Sequence, residues 1–298
     1  MAAVLDATGL GKRYALRRWG LRNCSFAVPA GRVVALVGAN GSGKSTLLRL
    51  AAGLTRPTEG VVRVDGVPTY RRDALSRVAY VGQTKPLYPG FTVAEMVRFG
   101  TVTNPAFDKR GTLERLRGLG IPLDRTVSRL SGGQRTQVAI ALALGKRADV
   151  VLLDEPMADL DPLARPALLG ELMATVEERA CTVLLSSHVL TELTDVCDSL
   201  LLMNEGALQV SGLIDDLIAG HRLLVGPVEA YSDPGRVGAH AVVSARTTER
   251  QATVLVEWSD APIDPRWVVH PVTLTDVVLG YLRSPDATIA ARPRQVPA

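Results

Sequence analysis

The sequence predicts an α/β fold with a mostly parallel core sheet, and three observations predict it. The apolar runs 33–37, 78–81, 150–153 and 181–185 read as strands buried on both faces. Segments with apolar residues at helical spacing separate them, as parallel crossovers require. Between the first run and a helical segment at 47–52 stands the stretch 38–46, GANGSGKST. That is the strand–loop–helix setting of a phosphate-binding loop.

In chain order, residues 4–14 and 24–28 are expected to be strands of an N-terminal antiparallel β subdomain, with 17–22 as the loop between them. Pro29-Ala30-Gly31 is a turn signal. The glycines of 38–46 let the backbone curl so that successive N–H groups face one phosphate. The helix that follows adds favourable partial charge. Lys44 is expected to reach the outer phosphates and the Ser45 hydroxyl to hold Mg²⁺. Alternation over 61–64 followed by Asp65-Gly66 reads as a hairpin. The strand at 78–81 leads into Gln83. Thr92-Val-Ala-Glu95 is a capping box opening a helix through Phe99, and a charged helix follows at 109–118. Ser131 caps a helix that runs to Gly145. Residues 84–145 are therefore expected to form an inserted helical subdomain. Asp161-Pro162 offers an N-cap with proline at the first helical position, and Leu168, Leu169, Leu172, Met173 and Val176 follow at helical spacing. The strand at 181–185 runs on towards His188. Runs 199–203 and 207–210 flank Asn204-Glu205-Gly206 as a hairpin. Beyond 225 the pattern changes. Residues 253–258 and 267–270 read as strands, and Thr273-Leu-Thr-Asp276 is another capping box. Leu274, Val277, Val278 and Tyr281 then make one apolar stripe. The expected division is a nucleotide-binding unit at 1–225, a small C-terminal α+β appendage at 226–284 and a disordered tail at 285–298.

Composition bounds the function. Of 298 residues, 47% are hydrophobic and 21% charged, the balance of an ordinary globular protein. Aromatics at 4% argue against a stacking platform for single-stranded nucleic acid. A net charge of +4 selects no class of partner. Cys24, Cys181 and Cys197 form no CxxC pair and read as free thiols in a reducing compartment. No basic-then-apolar leader opens the chain. The apolar runs fall far short of the ~20 residues that a membrane helix needs. Any membrane role is thus expected to run through a partner.

Two further stretches carry chemistry. In 150–156, VVLLDEP, four apolar residues place Asp154 at the carboxyl end of a buried strand, where α/β sheets hold ligands. Its neighbour Glu155 points to the opposite face. Asp154 is expected to support the Mg²⁺ held by Ser45, and Glu155 to orient or deprotonate the attacking water. In 130–134, LSGGQ, two glycines between a serine and a helix build a second phosphate-facing helix N-terminus. Two such devices either meet one phosphate within a chain or serve ATP held by two copies.

GANGSGKST, Gln83, LSGGQ, VVLLDEP, Asp161 and His188 occur in the order of the ATP-binding cassette (ABC) ATPases. Over residues 3–225 the chain resembles that family of P-loop NTPases. The resemblance implies ATP and Mg²⁺ as cofactors and two cassettes packed head to tail. ATP would lie between Gly38, Ala39, Asn40, Gly41, Ser42, Gly43, Lys44, Ser45 and Thr46 of one copy and Ser131, Gly132, Gly133 and Gln134 of the other. Asp161 resembles the aspartate that links the two sites. Tyr14, with Trp19 as its rival, resembles the aromatic that stacks on adenine. Gln83 resembles the glutamine that touches Mg²⁺ or water and senses a transmembrane partner. His188 resembles the switch histidine on the γ-phosphate. The catalytic set implied is Glu155, His188 and Gln83, and the Mg²⁺ set is Ser45, Gln83 and Asp154. His221, His240 and His270 have no such context and receive no role. Two positions depart from the family pattern: Gly82 stands where proline is frequent, and Asp159 adds a charge where a small residue is common.

The implied function is the ATP-hydrolysing subunit of an ABC transporter. It would be cytoplasmic and peripheral on the inner face of the membrane, bound there through a separate permease and paired with a second cassette, a copy of itself favoured. The stretch 270–282 resembles the end of exporter cassettes of the ABC-2 or drug-efflux type. The alternatives are an importer ATPase and a soluble ABC ATPase acting on nucleic acid or ribosomes. One phosphate loop, no sustained heptads and no basic stripe weigh against the last, so no nucleic-acid partner is expected.

Overall fold

The computed structural model describes residues 3–15, 18–187, 189–190, 193–194, 196–285 and 287. The first two strands, β1 (Ala3–Arg13) and β2 (Trp19–Pro29), pair antiparallel. β2 begins at Trp19, inside the stretch expected to be loop. The Tyr14 N–H donates to the Arg18 carbonyl at 2.8 Å and closes the turn early. The guanidinium groups of Arg13 and Arg22 each lie 5.7 Å from the Trp19 ring and extend the ladder around it.

β3 (Val33–Val37) is buried at all five positions. The helix α1 (Lys44–Ala51) starts at Lys44, three residues earlier than its apolar pattern. β4 (Glu59–Val64) and β5 (Val67–Pro68) form the expected hairpin. Asp65 and Gly66 take φ of +45° and +74°, the two-residue turn whose twist matches a hairpin. With β1 and β2 they make a four-stranded sheet in the order β2-β1-β4-β5.

β6 (Val78–Val81) leads to three helices: α2 (Val93–Thr103), α3 (Lys109–Gly118) and α4 (Gly132–Gly145). Both halves of the capping box are made at Thr92/Glu95 and again at Ser131/Gln134. Asp108 caps α3 by accepting from the Gly111 N–H at 2.8 Å. β7 (Val150–Asp154) follows, then α5 (Ala164–Arg179). α5 starts at Ala164 rather than at Pro162. Asp161 still serves that end: its Oδ1 accepts from the N–H groups of Leu163 and Ala164, both at 3.0 Å. β8 (Thr182–Ser187), β9 (Ser199–Asn204) and β10 (Ala207–Leu213) complete a six-stranded sheet in the order β10-β9-β3-β8-β7-β6. Only the β9–β10 pairing is antiparallel, so the core sheet is mostly parallel as expected.

Alternating side chains divide the core between the two faces of this sheet. Val34, Leu36, Leu152 and Leu184 face α1 and the antiparallel sheet. Ala35, Val151, Leu153, Val183 and Leu185 face α4 and α5. Each of the Val and Leu side chains contributes about 1.5–3 kcal/mol by leaving water. All three cysteines are buried and free.

The chain continues through α6 (Ile214–Ala219), β11 (His221–Pro227), β12 (Arg236–Val237), β13 (His240–Thr247), β14 (Gln251–Glu257), β15 (Val268–His270) and α7 (Leu274–Arg283). The five strands form an antiparallel sheet in the order β12-β13-β14-β11-β15, which begins at His221 and runs across residue 225. β13 has no clean alternation because a register shift between Val242 and Ser244 breaks it. The α7 stripe of Leu274, Val277, Val278 and Tyr281 packs into the same core cluster as the parallel sheet. The buried Gln209 amide donates towards the Tyr281 and Ser284 carbonyls at 3.1 and 2.9 Å, satisfying the end of α7. Apart from Pro285 and Ala287, the tail expected to be disordered lies outside the described residues. Among the described residues no helix is long and apolar enough to cross a membrane.

Candidate active site

The loop between β3 and α1 wraps around the side chain of Lys44. Gly43 takes φ +106°, and a Cβ there would lie 2.7 Å from the Gly20 carbonyl oxygen, so only glycine fits. The Lys44 ammonium is buried, donating to the Gly38 carbonyl at 2.7 Å and the Ala39 carbonyl at 3.2 Å. It also lies 3.8 Å from a Glu155 carboxylate oxygen. Burial pushes the Lys44 pKa down, while Glu155 and Asp154 pull it back up. The turn between β9 and β10 braces the loop from behind, with the Gly206 N–H donating to the Ser42 carbonyl at 3.0 Å. The Ser42 hydroxyl is buried with no hydrogen-bond partner among the described residues. A phosphate oxygen in the loop would supply one.

A cavity of about 340 Å³ opens in front of this loop. Tyr14, Trp19, Asn40, Gly41, Gly43, Lys44, Ser45, Thr46 and Gln83 line it. Tyr14 is 39% exposed, and its hydroxyl donates to Thr46 Oγ1 at 3.3 Å. A Cβ on Gly20 would lie 2.7 Å from the Tyr14 ring, so Gly20 lets that ring lie against the backbone. Both rings line the cavity and both have cations beside them: Arg13 and Arg22 each lie 5.7 Å from the Trp19 ring, and the Lys12 ammonium lies 5.6 Å from the Tyr14 ring.

The acidic pair sits where β7 ends. The parallel register sets Asp154 opposite Ser186. The Ser186 hydroxyl, fully buried, donates to Asp154 Oδ1 at 2.9 Å and accepts from the Glu155 N–H at 2.9 Å. Glu155 has φ +50°, a left-handed conformation that costs a residue with a side chain about 1–2 kcal/mol. The Tyr80 hydroxyl makes a long contact of 3.5 Å to Asp154 Oδ2. Burial first, and the Asp154 charge second, raise the Tyr80 pKa. Gly82, one of the two departures from the family pattern, has a steric reason here. A Cβ at 82 would lie 3.0 Å from the Tyr80 hydroxyl, so a side chain there would require the ring that reaches Asp154 to give by a few tenths of an ångström. Neither Tyr80 nor Ser186 was assigned a role from the sequence. The available signal was a hydroxyl inside an otherwise apolar strand.

Hydroxyl, amide and carboxylate oxygens from Ser45, Gln83 and Asp154 suit a hard divalent cation such as Mg²⁺. Among the described residues no group of three or more His, Cys, Asp or Glu side chains is placed to hold a metal ion. Ser45 and Gln83 line the Lys44 cavity and Asp154 does not; so few protein donors would suit an ion that takes most of its ligands from phosphate and water.

The other phosphate-facing device stands apart. Ser131 Oγ accepts from the Gln134 N–H at 3.1 Å, and Gln134 Oε1 accepts from the Ser131 N–H at 3.1 Å. Neither residues 131–134 nor Asp161 line the Lys44 cavity. Within one chain the two stretches do not share that cavity. His188 lies outside the described residues.

The loop after β6 also contributes to a second cavity. This groove of about 280 Å³ is lined by Pro86, Leu87, Met96, Phe99, Phe107 and Leu142 among others. Phe99 of this lining is exposed and meets the exposed rings of Tyr88 and Phe91 edge-on, at centroid distances of 5.3 and 6.4 Å, while Tyr88 and Phe91 lie tilted to each other at 5.1 Å.

Comparison with known proteins agrees with this geometry. A family model described as ABC transporter matches residues 21–158. The Nod factor export ATP-binding protein I of Burkholderia lata is 31% identical over 296 residues, 93% of this chain and 96% of that protein. The molybdenum import ATP-binding protein ModC of Thiobacillus denitrificans is 37% identical over 231 residues, 74% of this chain but only 62% of that longer protein. A solved ATP-binding cassette, captured as a post-hydrolysis dimer bound to ADP and Pi, superposes with a TM-score of 0.64 at 25% identity, covering 70% of this chain and 98% of the other.

Proposed function

This chain belongs to the ABC transporter family and is an ATP-binding cassette with ATPase chemistry, and from that premise we propose that it drives export through a permease carried on a separate chain. The observation that carries the proposal is one short loop serving two cavities. Gln83 lines the nucleotide cavity, and Pro86 and Leu87, three and four residues on, line the aromatic-rimmed groove. A change at the phosphates that moves Gln83 moves the groove as well. In a chain whose described residues hold no membrane-spanning helix, such a groove suits apolar side chains of a membrane partner.

In the proposed cycle Tyr14 stacks on the base while Lys44 and the amides of 38–46 bind the phosphates. When bound, Mg²⁺ neutralises phosphate charge, with Ser45, Gln83 and Asp154 holding it. Glu155 orients the attacking water and His188 contacts the γ-phosphate. Ser131, Gly132, Gly133, Gln134 and Asp161 of a second copy complete the site. The separation of the two phosphate-facing devices within one chain supports this dimer. Residues 1–225 act as the cassette, 84–145 as its helical subdomain and 226–284 as an extension resting on the core. The chain sits at the inner face of the membrane through its permease.

Export of the ABC-2 or drug-efflux kind draws support from the Nod factor export relative, whose match runs through the C-terminal extension. An importer is the second reading, favoured by the molybdenum import relative at 37% identity. The test is affinity purification of the chain from detergent-solubilised membranes of its native host, with Phe99→Asp as control. The expected result is one integral membrane protein that co-purifies with the wild type and not with the variant. No membrane protein in either preparation refutes the proposal. Transport by inverted vesicles of that complex separates the directions, since an exporter accumulates its cargo inside them when ATP is outside.

A further inference from the structure

Asp159, the second departure from the family pattern, lies in the turn after β7 between Glu155 and Asp161. Its carboxylate is ion-paired with the ammonium of Lys85, two residues after Gln83. The two partners differ in exposure. The Lys85 side chain is 8% exposed and that of Asp159 48%. Lys85 takes φ +42°, so the loop backbone is bent to deliver it. Asp159 also packs against the first turn of α4. A Cβ placed on Gly132 would lie 3.6 Å from Asp159 Cβ, and one on Gly133 would lie 3.1 Å from the Asp159 carbonyl oxygen. A carboxylate therefore stands beside the end of α4 that, in the dimer proposed above, faces the partner's ATP.

A helix N-terminus attracts anions through its free N–H groups and dipole. A bare carboxylate beside it works against that attraction and repels a polyphosphate. We propose that Lys85 is a positioning residue for the shared ATP site. Its ammonium cancels the Asp159 charge at the phosphate-facing end of α4. By the same contact it ties the Gln83 loop to the turn that carries Glu155 and Asp161. Three loops that must agree when two copies close on ATP thus meet at one ion pair. The roles of the partners are unequal. Losing the lysine leaves a repulsive charge, whereas losing the carboxylate leaves a neutral side chain beside a compensated helix end. A pair acting only as a mechanical tie would suffer equally from either loss.

The experiment uses the full chain with Glu155→Gln as parent, so that bound ATP is retained, and rests on the dimer reading. ATP-Mg²⁺-dependent dimerisation is measured by light scattering across protein concentrations, and monomer affinity with a fluorescent ATP analogue at low protein concentration. Lys85→Met is expected to weaken the dimer roughly tenfold, the scale of one uncompensated charge near a polyphosphate, with monomer affinity unchanged. Lys85→Arg and Asp159→Asn are expected to dimerise like the parent, and the Lys85→Met/Asp159→Asn double variant to recover to within about threefold. The proposal is overturned if Lys85→Met dimerises normally. It is overturned equally if Asp159→Asn is as damaging and the double variant is no better than Lys85→Met. A parent that stays monomeric with ATP sinks the dimer reading itself, which separates that failure from the failure of the lysine's role.

Discussion

Replacing Ser186 by alanine removes a hydroxyl that does two jobs at the acidic pair. It donates to Asp154 Oδ1 and accepts the Glu155 N–H, each at 2.9 Å, in a fully buried position. A hydrogen bond to a carboxylate is worth about 1.5–3 kcal/mol, and a buried N–H left unsatisfied costs about 1–3 kcal/mol. The second loss bears on Glu155, whose left-handed φ of +50° already costs about 1–2 kcal/mol and is held by that N–H contact. Without it Glu155 relaxes towards negative φ and its carboxylate turns from the water it should orient. If about half of the combined loss, roughly 1.3–3 kcal/mol, falls on the transition state, kcat drops by about 10- to 150-fold. The assay is steady-state phosphate release alongside ATP affinity and urea unfolding. Affinity is expected to stay within about threefold, because the phosphate loop is untouched. Ser186→Thr keeps the hydroxyl and is expected to retain most of the rate. A Ser186→Ala protein that is folded and turns over at the parent rate refutes the assigned role.

Glu155→Gln is expected to bind ATP, to hydrolyse it at least ~10²-fold more slowly and to accumulate an ATP-bound dimer on size exclusion; near-normal phosphate release removes Glu155 from the water-orienting role. Ser131→Arg is expected to abolish ATPase activity while leaving ATP binding to the Lys44 loop intact, read by a fluorescent nucleotide on a protein with unchanged circular dichroism. His221 predicts a pH dependence of stability. Its Nδ1 lies 2.6 Å from the Leu217 carbonyl, which only accepts, so Nδ1 donates and Nε2 takes the Tyr281 hydroxyl at 3.0 Å. Burial pushes its pKa below the ordinary value, opposed by the Leu217 contact and by Glu257. The unfolded chain then binds the proton first. The stabilisation is complete above about pH 6.5 and is lost as pH falls towards the lowered folded value. Unfolding midpoints at pH 5.5 and 7.5 should differ more in the parent than in His221→Asn, and equal differences would show that another group sets the acid slope.

What could be read from the sequence divides along a physical line. Lys44, the Gly43 turn and the capping boxes at Thr92, Ser131 and Thr273 depend on residues within a few positions, so local spacing reveals them. The buried strands were legible because a parallel sheet covered on both faces demands continuous apolar runs. Register across a crossover is different. Nothing near Asp154 states that Ser186, 32 residues on and past α5, will stand opposite it. Nothing near Gln83 states that Lys85 will meet Asp159, 74 positions away. Likewise β2 starts at Trp19 because two arginines from paired strands enclose its ring, a contact that exists only after pairing. Asp159 shows the limit most clearly. As a letter it is only an extra charge in a turn that usually has none, and its ion-pair partner comes from the loop after the neighbouring strand β6. Residues that touch the nucleotide are selected by its chemistry and repeat as motifs, whereas residues that hold those groups in place are selected by local geometry. In the function proposed above, the motifs of this cassette locate its reaction, and Ser186 and Lys85, which would set its rate and coupling, lie in a strand and a loop that bear no motif.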